Sequence, residues 1–193
     1  MLSALPRPLQ NSIEAHRELF DIGLHGPDIL FYYNALKKDP MNEQGHTLHE
    51  QFADEFFHHA VEVIEKAKDP SAARAYIYGF ICHFALDSEC HPYVEKIMQV
   101  GRVSHNEIEM ELDRMMLTED YHDPLRYLTA KHIQPKMEYA EVIAPFFKDV
   151  TAEQIYKALK GMVFYHKLFL APTSGKRKAL FLGMKAVGKY DSL

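Results

Sequence analysis

An all-α fold is what this sequence predicts: a single-domain, multi-helix bundle around one buried central helix. Two observations carry the expectation. Apolar residues recur with a period close to 3.6 along the chain, and no convincing strand alternation interrupts them. One stretch, Ala75 to Tyr93, reads A-Y-I-Y-G-F-I-C-H-F-A-L-D-S-E-C-H-P-Y. It is apolar on every face of a helix except where His83, Asp87 and His91 fall, so it belongs at the centre. A chain of 193 residues is within the usual span of one domain and can bury a proper core, and 1–193 is read as one domain.

The elements follow in order. Asn11 with Glu14 three residues on reads as the start of a first helix, with Ile13, His16 and Phe20 on one face and Gly23 at its end. His25-Gly26-Pro27-Asp28 reads as a turn that places Asp28 just before the apolar run Ile29 to Tyr33. Lys37 to Gly45 reads as a polar loop. A long helix is expected from about His46 to Lys68, with Leu48, Phe52, Phe56, Ala60 and Val63 as its stripe, and Asp69-Pro70 breaks it before the central helix. His49 falls near the middle of that stripe and His46 toward its edge, so His49 is the favoured inward residue and His46 its competitor. His58 and His59 read as surface or packing residues.

Within the central helix, Gly79 leaves room for another backbone or a ligand. Pro92 should push His91 out of helical geometry. A short segment then runs to Val100, and Ser104-His105-Asn106-Glu107 reads as a capping box opening a helix whose buried face is Ile108, Leu112, Met115 and Met116. His105 and Glu109 are i, i+4 neighbours on or beside that face. Val150 to Leu170 is a long amphipathic helix, and His122, His132 and His166 read as structural. In the basic segment Lys176 to Tyr190 two readings stand: a terminal helix docked through Leu180, Phe181 and Met184, or a helix lying flat on an anionic lipid surface.

Composition narrows the function classes. The formal charge is −5 and there is no Trp, which disfavours a stable nucleic-acid partner. Cys82 and Cys90, eight residues apart on one helix, stand roughly 12 Å from each other, too far for a disulfide. No apolar run approaches the ~20 residues of a membrane span, and no signal peptide is evident. The expected compartment is the cytoplasm, with secretion open should a leader have been removed.

His83 and Asp87 fall on one helical stripe and can touch the same ion, while His91 can turn toward a second one. Burying a carboxylate and two imidazoles without partners would cost several kcal/mol, and a bound cation compensates. Taken together, His16, Asp28, His49, His83, Asp87, His91, His105 and Glu109 resemble, in order and type, the ligand series of the zinc-dependent phospholipase C family, all-helical enzymes related to single-strand-specific zinc nucleases. The most specific piece is Gly79-x-x-x-His83-x-x-x-Asp87-x-x-x-His91-Pro92, seconded by Gly26-Pro27-Asp28 and His105-x-x-x-Glu109. The metal-site region is thus 16–109, and 118–193 forms a C-terminal helical region without a recognisable motif.

The resemblance implies two or three zinc ions in one cleft. Asp28, His49, His83 and Asp87 would hold the first, His91, His105 and Glu109 the second, and His16 with a bridging Asp87 the third. In secreted family members an N-terminal Trp completes the third position, and this chain has none. The implied activity is hydrolysis of a phospholipid or other phosphodiester with Asp28 as general base. The alternatives are a single-strand nuclease and a non-catalytic metal-binding helical protein.

Overall fold

Prolines set where the first helices begin. In the computed structural model, which describes residues 2–101 and 103–186, α1 (Arg7–Glu14) starts directly after Pro6 with Pro8 in its first turn. The fixed proline φ suits a helix start, so Asn11 lies inside α1 rather than capping a helix. The chain breaks at Ala15 and His16, and α2 (Arg17–Gly23) follows. A 3₁₀ turn, Gly26–Tyr32, carries Asp28 in its first turn.

Two expectations about the next segment fail for local reasons. Asp39 accepts a hydrogen bond from the Met41 amide at 3.0 Å and Pro40 occupies the first turn, so α3 (Pro40–Glu50) begins inside the supposed loop. The single long helix from His46 is instead two helices, with α4 (Ala53–Lys66) starting after an extended Phe52. Asp54 and Glu55 sit in the first turn of α4, where acidic side chains favour a helix N-terminus. Phe52, counted in the apolar stripe, is 90% exposed.

Asp69 caps the next helix by accepting from the amides of Ser71 and Ala72, and these bonds hold its carboxyl below the usual range, the Ala72 amide contributing most. That helix, α5 (Pro70–Val100), runs on through Pro92. The bias of the residue before a proline is confined to one position, and helix formers on both sides carry the chain past it. His91 therefore stays helical. Ser104 and Glu107 do form the capping box that opens α6 (His105–Glu119). Two more helices, α7 (Met137–Ile143) and α8 (Ala152–Phe169), precede α9 (Ser174–Ala186). Among the described residues there is no strand, so the fold is all-α. No described helix is long and apolar enough to cross a membrane.

The chain divides into two compact units, Met1–Ala85 with Ala130–Phe164, and Leu86–Thr129 with Tyr165–Leu193. The core of the first is built on the early part of α5: Ala72, Ala73, Tyr76, Ile77 and Phe80 are buried with Leu19, Ile22, Phe56, Ile143, Phe146, Ile155 and Leu159. Phe56 and Phe80 stack with centroids 4.3 Å apart. Glycines let α2 and α5 meet backbone to backbone: a Cβ on Gly79 would lie 2.1 Å from the Phe20 carbonyl oxygen, and one on Gly23 2.1 Å from that of Tyr76. The expected close approach at Gly79 is thus made by a helix.

The central stretch is buried only in part, since Ile81, Phe84 and Leu86 are already exposed. In the second unit, Leu112, Met115 and Met116 of α6 are exposed as well, against expectation. An apolar stripe specifies a face and not a partner, and α6 surrounds its stripe with Glu107, Glu109, Glu111 and Asp113. No residue of α9 is fully buried; Leu180 and Met184 are half-buried and Phe181 is exposed. Val187, Lys189 and Tyr190 of the basic segment lie outside the described residues.

Candidate metal centre

Three elements of the first unit bring one ligand each. Asp28 comes from the 3₁₀ turn, His49 from the last turn of α3 and His83 from α5, and one ligand atom from each falls within 4.8 Å of the others. Among the described residues this is the one group of three His, Cys, Asp or Glu side chains gathered so closely. All three are partly buried. A tetrahedral zinc with ligands about 2.1 Å away sets their donor atoms about 3.4 Å apart, so a small closure completes the geometry.

One hydrogen bond orients His49. Its Nδ1 lies 2.8 Å from the Gly45 carbonyl oxygen one turn back. A carbonyl only accepts, so Nδ1 carries the hydrogen and donates, leaving the Nε2 lone pair of the neutral ring outward. That Nε2 is 3.1 Å from Asp28 Oδ1. Two acceptors cannot face each other at that distance unless a proton or a cation lies between them. His83, beside them, has its Nε2 buried with no hydrogen-bond partner among the described residues. A proton on His49 answers the first deficit and leaves the second, whereas a metal ion among the three ligand atoms engages both residues. A backbone carbonyl on the second nitrogen of a ligating histidine is also the usual way such rings are oriented.

The surroundings are tightly drawn. Gly26, with φ +50°, lies over the His83 ring so closely that a Cβ there would be 2.2 Å from Cδ2. Phe31 stacks on His49, centroids 5.7 Å apart and planes 19° from parallel. Burial first, and the Asp28 carboxylate second, push the phenol of Tyr32 above its ordinary value and keep it protonated.

Residues 1–161 match the family described as zinc dependent phospholipase C. The chain belongs to the zinc-dependent phospholipase C family. Comparison with curated proteins and with solved structures gave no match. The family is named for its zinc, and the Asp28, His49, His83 group has the donor types zinc takes.

The other residues singled out in the sequence stand as follows. His46 is exposed and tilts against Phe31 at 4.6 Å, outside the group of three. His16, at the α1–α2 break, is half-buried with Nε2 3.9 Å from Asp69 Oδ2. In the second unit, His91 Nε2 lies 3.2 Å from Asp87 Oδ1, and His105 Nε2 lies 2.8 Å from Glu109 Oε1. The His91 and His105 rings are 5.0 Å apart. Of the remaining histidines, His132 pairs with His25 at 3.0 Å between Nε2 atoms, and His166 Nδ1 lies 2.9 Å from Thr129 Oγ1.

Sequence reasoning passed over three contributors: the Gly45 carbonyl, the Phe31 ring and the closeness of Gly26 to His83. The first was in reach, because the carbonyl four residues before a helical histidine is always nearby. The other two depend on where a 3₁₀ turn lies against two helices, and no local pattern encodes that.

Proposed function

We propose that the protein is a metal-dependent phosphodiester hydrolase of the phospholipase C type, cleaving phospholipid between the diacylglycerol oxygen and phosphorus. The observation that carries the reading is the facing pair His49 Nε2 and Asp28 Oδ1 at 3.1 Å, beside a buried His83 nitrogen without a partner among the described residues. Such a set calls for a cation, and family membership supplies the expectation that it is zinc.

In this reading the Gly45 carbonyl orients His49 with its Nε2 toward the ion, His83 is held in place under Gly26, and Asp28 both ligates and takes a proton from the attacking water. Zinc, when bound, contributes a Lewis acid that acidifies water and offsets the charge growing on the phosphodiester. We read His91, His105 and Glu109 as ligands of a second ion, supported by the adjacency of their imidazoles and carboxylate in the second unit.

The test is release of the phosphorylated headgroup from phosphatidylcholine, phosphatidylethanolamine and phosphatidylinositol, with zinc and with chelator, with single-stranded DNA as a competing substrate. Chelator-sensitive cleavage of a lipid supports the reading. Cleavage of DNA alone would assign a nuclease. Bound zinc with no phosphodiester turned over would assign a metal-binding protein.

A further inference from the structure

Charge is segregated along this chain. Residues 154–193 hold eight of the 22 Lys and Arg but only one of the 27 Asp and Glu, and that one, Asp191, lies past the last described residue. The cationic run therefore sits in a protein whose formal charge is −5. Most of it lies beyond residues 1–161 that match the family.

The second unit places part of this run on an open face. Lys176 Nζ donates to the Lys167 carbonyl at 3.0 Å, which ties the start of α9 to the end of α8. Around α9, Lys176, Arg177, Leu180 and Met184 are half-buried, whereas Lys178, Phe181, Leu182 and Lys185 are exposed. At 100° per residue those four fall on one face, with the two lysines between Phe181 and Leu182. Phe181 is 45% and Leu182 70% exposed, and Phe169 at the end of α8 is 50% exposed. Among the described residues, Lys178 and Lys185 enter no ion pair.

We propose that the exposed face of α9, formed by Lys178, Phe181, Leu182 and Lys185, docks the protein on an anionic phospholipid bilayer. Making no ion pair with a described residue, Lys178 and Lys185 can meet lipid phosphates. Leu182, 70% exposed beside the two lysines, is a large apolar side chain that a surface charged outside and apolar beneath would accommodate. A purely polar polyanion would leave Leu182 in water. The proposal shares its purpose with the lipid substrate proposed above, but the face stands on charge and exposure alone, so the two are tested apart.

The experiment is co-sedimentation of the full chain with phosphatidylcholine vesicles, with and without phosphatidylglycerol, at low and high salt. Binding is expected only with phosphatidylglycerol and is expected to weaken as salt rises. At roughly five-fold per cation near an anionic surface, the double variant K178Q/K185Q should bind about thirty-fold more weakly. Leu182→Ser should weaken binding at both salt levels. Circular dichroism should be unchanged in both, since all three side chains are exposed.

Equal binding to both vesicle types would overturn the proposal, as would parent-like binding by the double variant. So would single-stranded DNA that binds as tightly as the vesicles and competes with them. Hydrolysis of a monomeric short-chain phosphatidylcholine is read in parallel. Hydrolysis without vesicle binding sinks the docking face alone, and vesicle binding without any hydrolysis sinks the proposed activity alone.

Discussion

Gly26 covers the imidazole of His83: its backbone, at φ +50°, approaches so closely that no side chain fits between them. The glycine is there for two reasons at once, because the left-handed φ disfavours other residues and the ring occupies the place of a Cβ. Gly26→Ala should lower stability by about 2 kcal/mol or more. It should also weaken zinc binding by displacing the His83 ring. Denaturant unfolding and calorimetric zinc titration read the two effects separately, and parent-like values in both would refute the packing described.

Tyr76 is wholly buried in the core and its hydroxyl has no hydrogen-bond partner among the described residues. Tyr76→Phe should therefore stabilise the protein, by about 1 kcal/mol at neutral pH. Burial also pushes the Tyr76 phenol well above its ordinary value. The folded state then holds this proton at a pH where the unfolded chain has released it. Stability should fall as pH rises above about 10, and the variant should lose less of it. Urea unfolding at neutral and alkaline pH measures both; a destabilised variant with an unchanged alkaline slope would show that the hydroxyl has a partner.

Helix glycines in this chain answer to opposite demands. Gly79 meets the Phe20 carbonyl across the α2–α5 crossing, whereas a Cβ on Gly183 of α9 would have no atom of the described residues within 4 Å. Gly79→Ala should cost about 3 kcal/mol through forced separation of the helices. Gly183→Ala should gain roughly 0.5–1 kcal/mol from helix propensity alone. Thermal unfolding of the pair tests the crossing, and similar midpoints would contradict it.

These cases also show what the sequence made legible. The all-helical class, the Ser104–Glu107 box and the special status of Gly79 were readable because each is a local rule: a period, a cap, a missing Cβ. Asp28, His49 and His83 were named together through the resemblance to the zinc-dependent phospholipase C ligand series. The break at Phe52 and the continuity through Pro92 were not readable, since opposing local biases meet at each place and the apolar period does not say which prevails. Exposure of the α6 stripe was hidden for a related reason: periodicity reports an apolar face and is silent about what covers it. The contact between His49 and Asp28 arises from a ring oriented by the Gly45 carbonyl, which only coordinates reveal.

Asp28→Asn separates ligation from geometry. The amide keeps the shape and removes the charge, so zinc affinity should drop at least about 100-fold with the fold intact. Circular dichroism and zinc titration check this; affinity within a few-fold of the parent would remove Asp28 from the ligand set.

Zinc content of the protein purified without chelator, measured by elemental analysis for the parent and for His83→Ala and His46→Ala, tests the metal centre most directly. The parent and His46→Ala should carry the same zinc and cleave lipid alike, while His83→Ala should lose an ion and the activity with it. Parent-level zinc and cleavage in His83→Ala, or no zinc in the parent, would contradict the centre built on Asp28, His49 and His83.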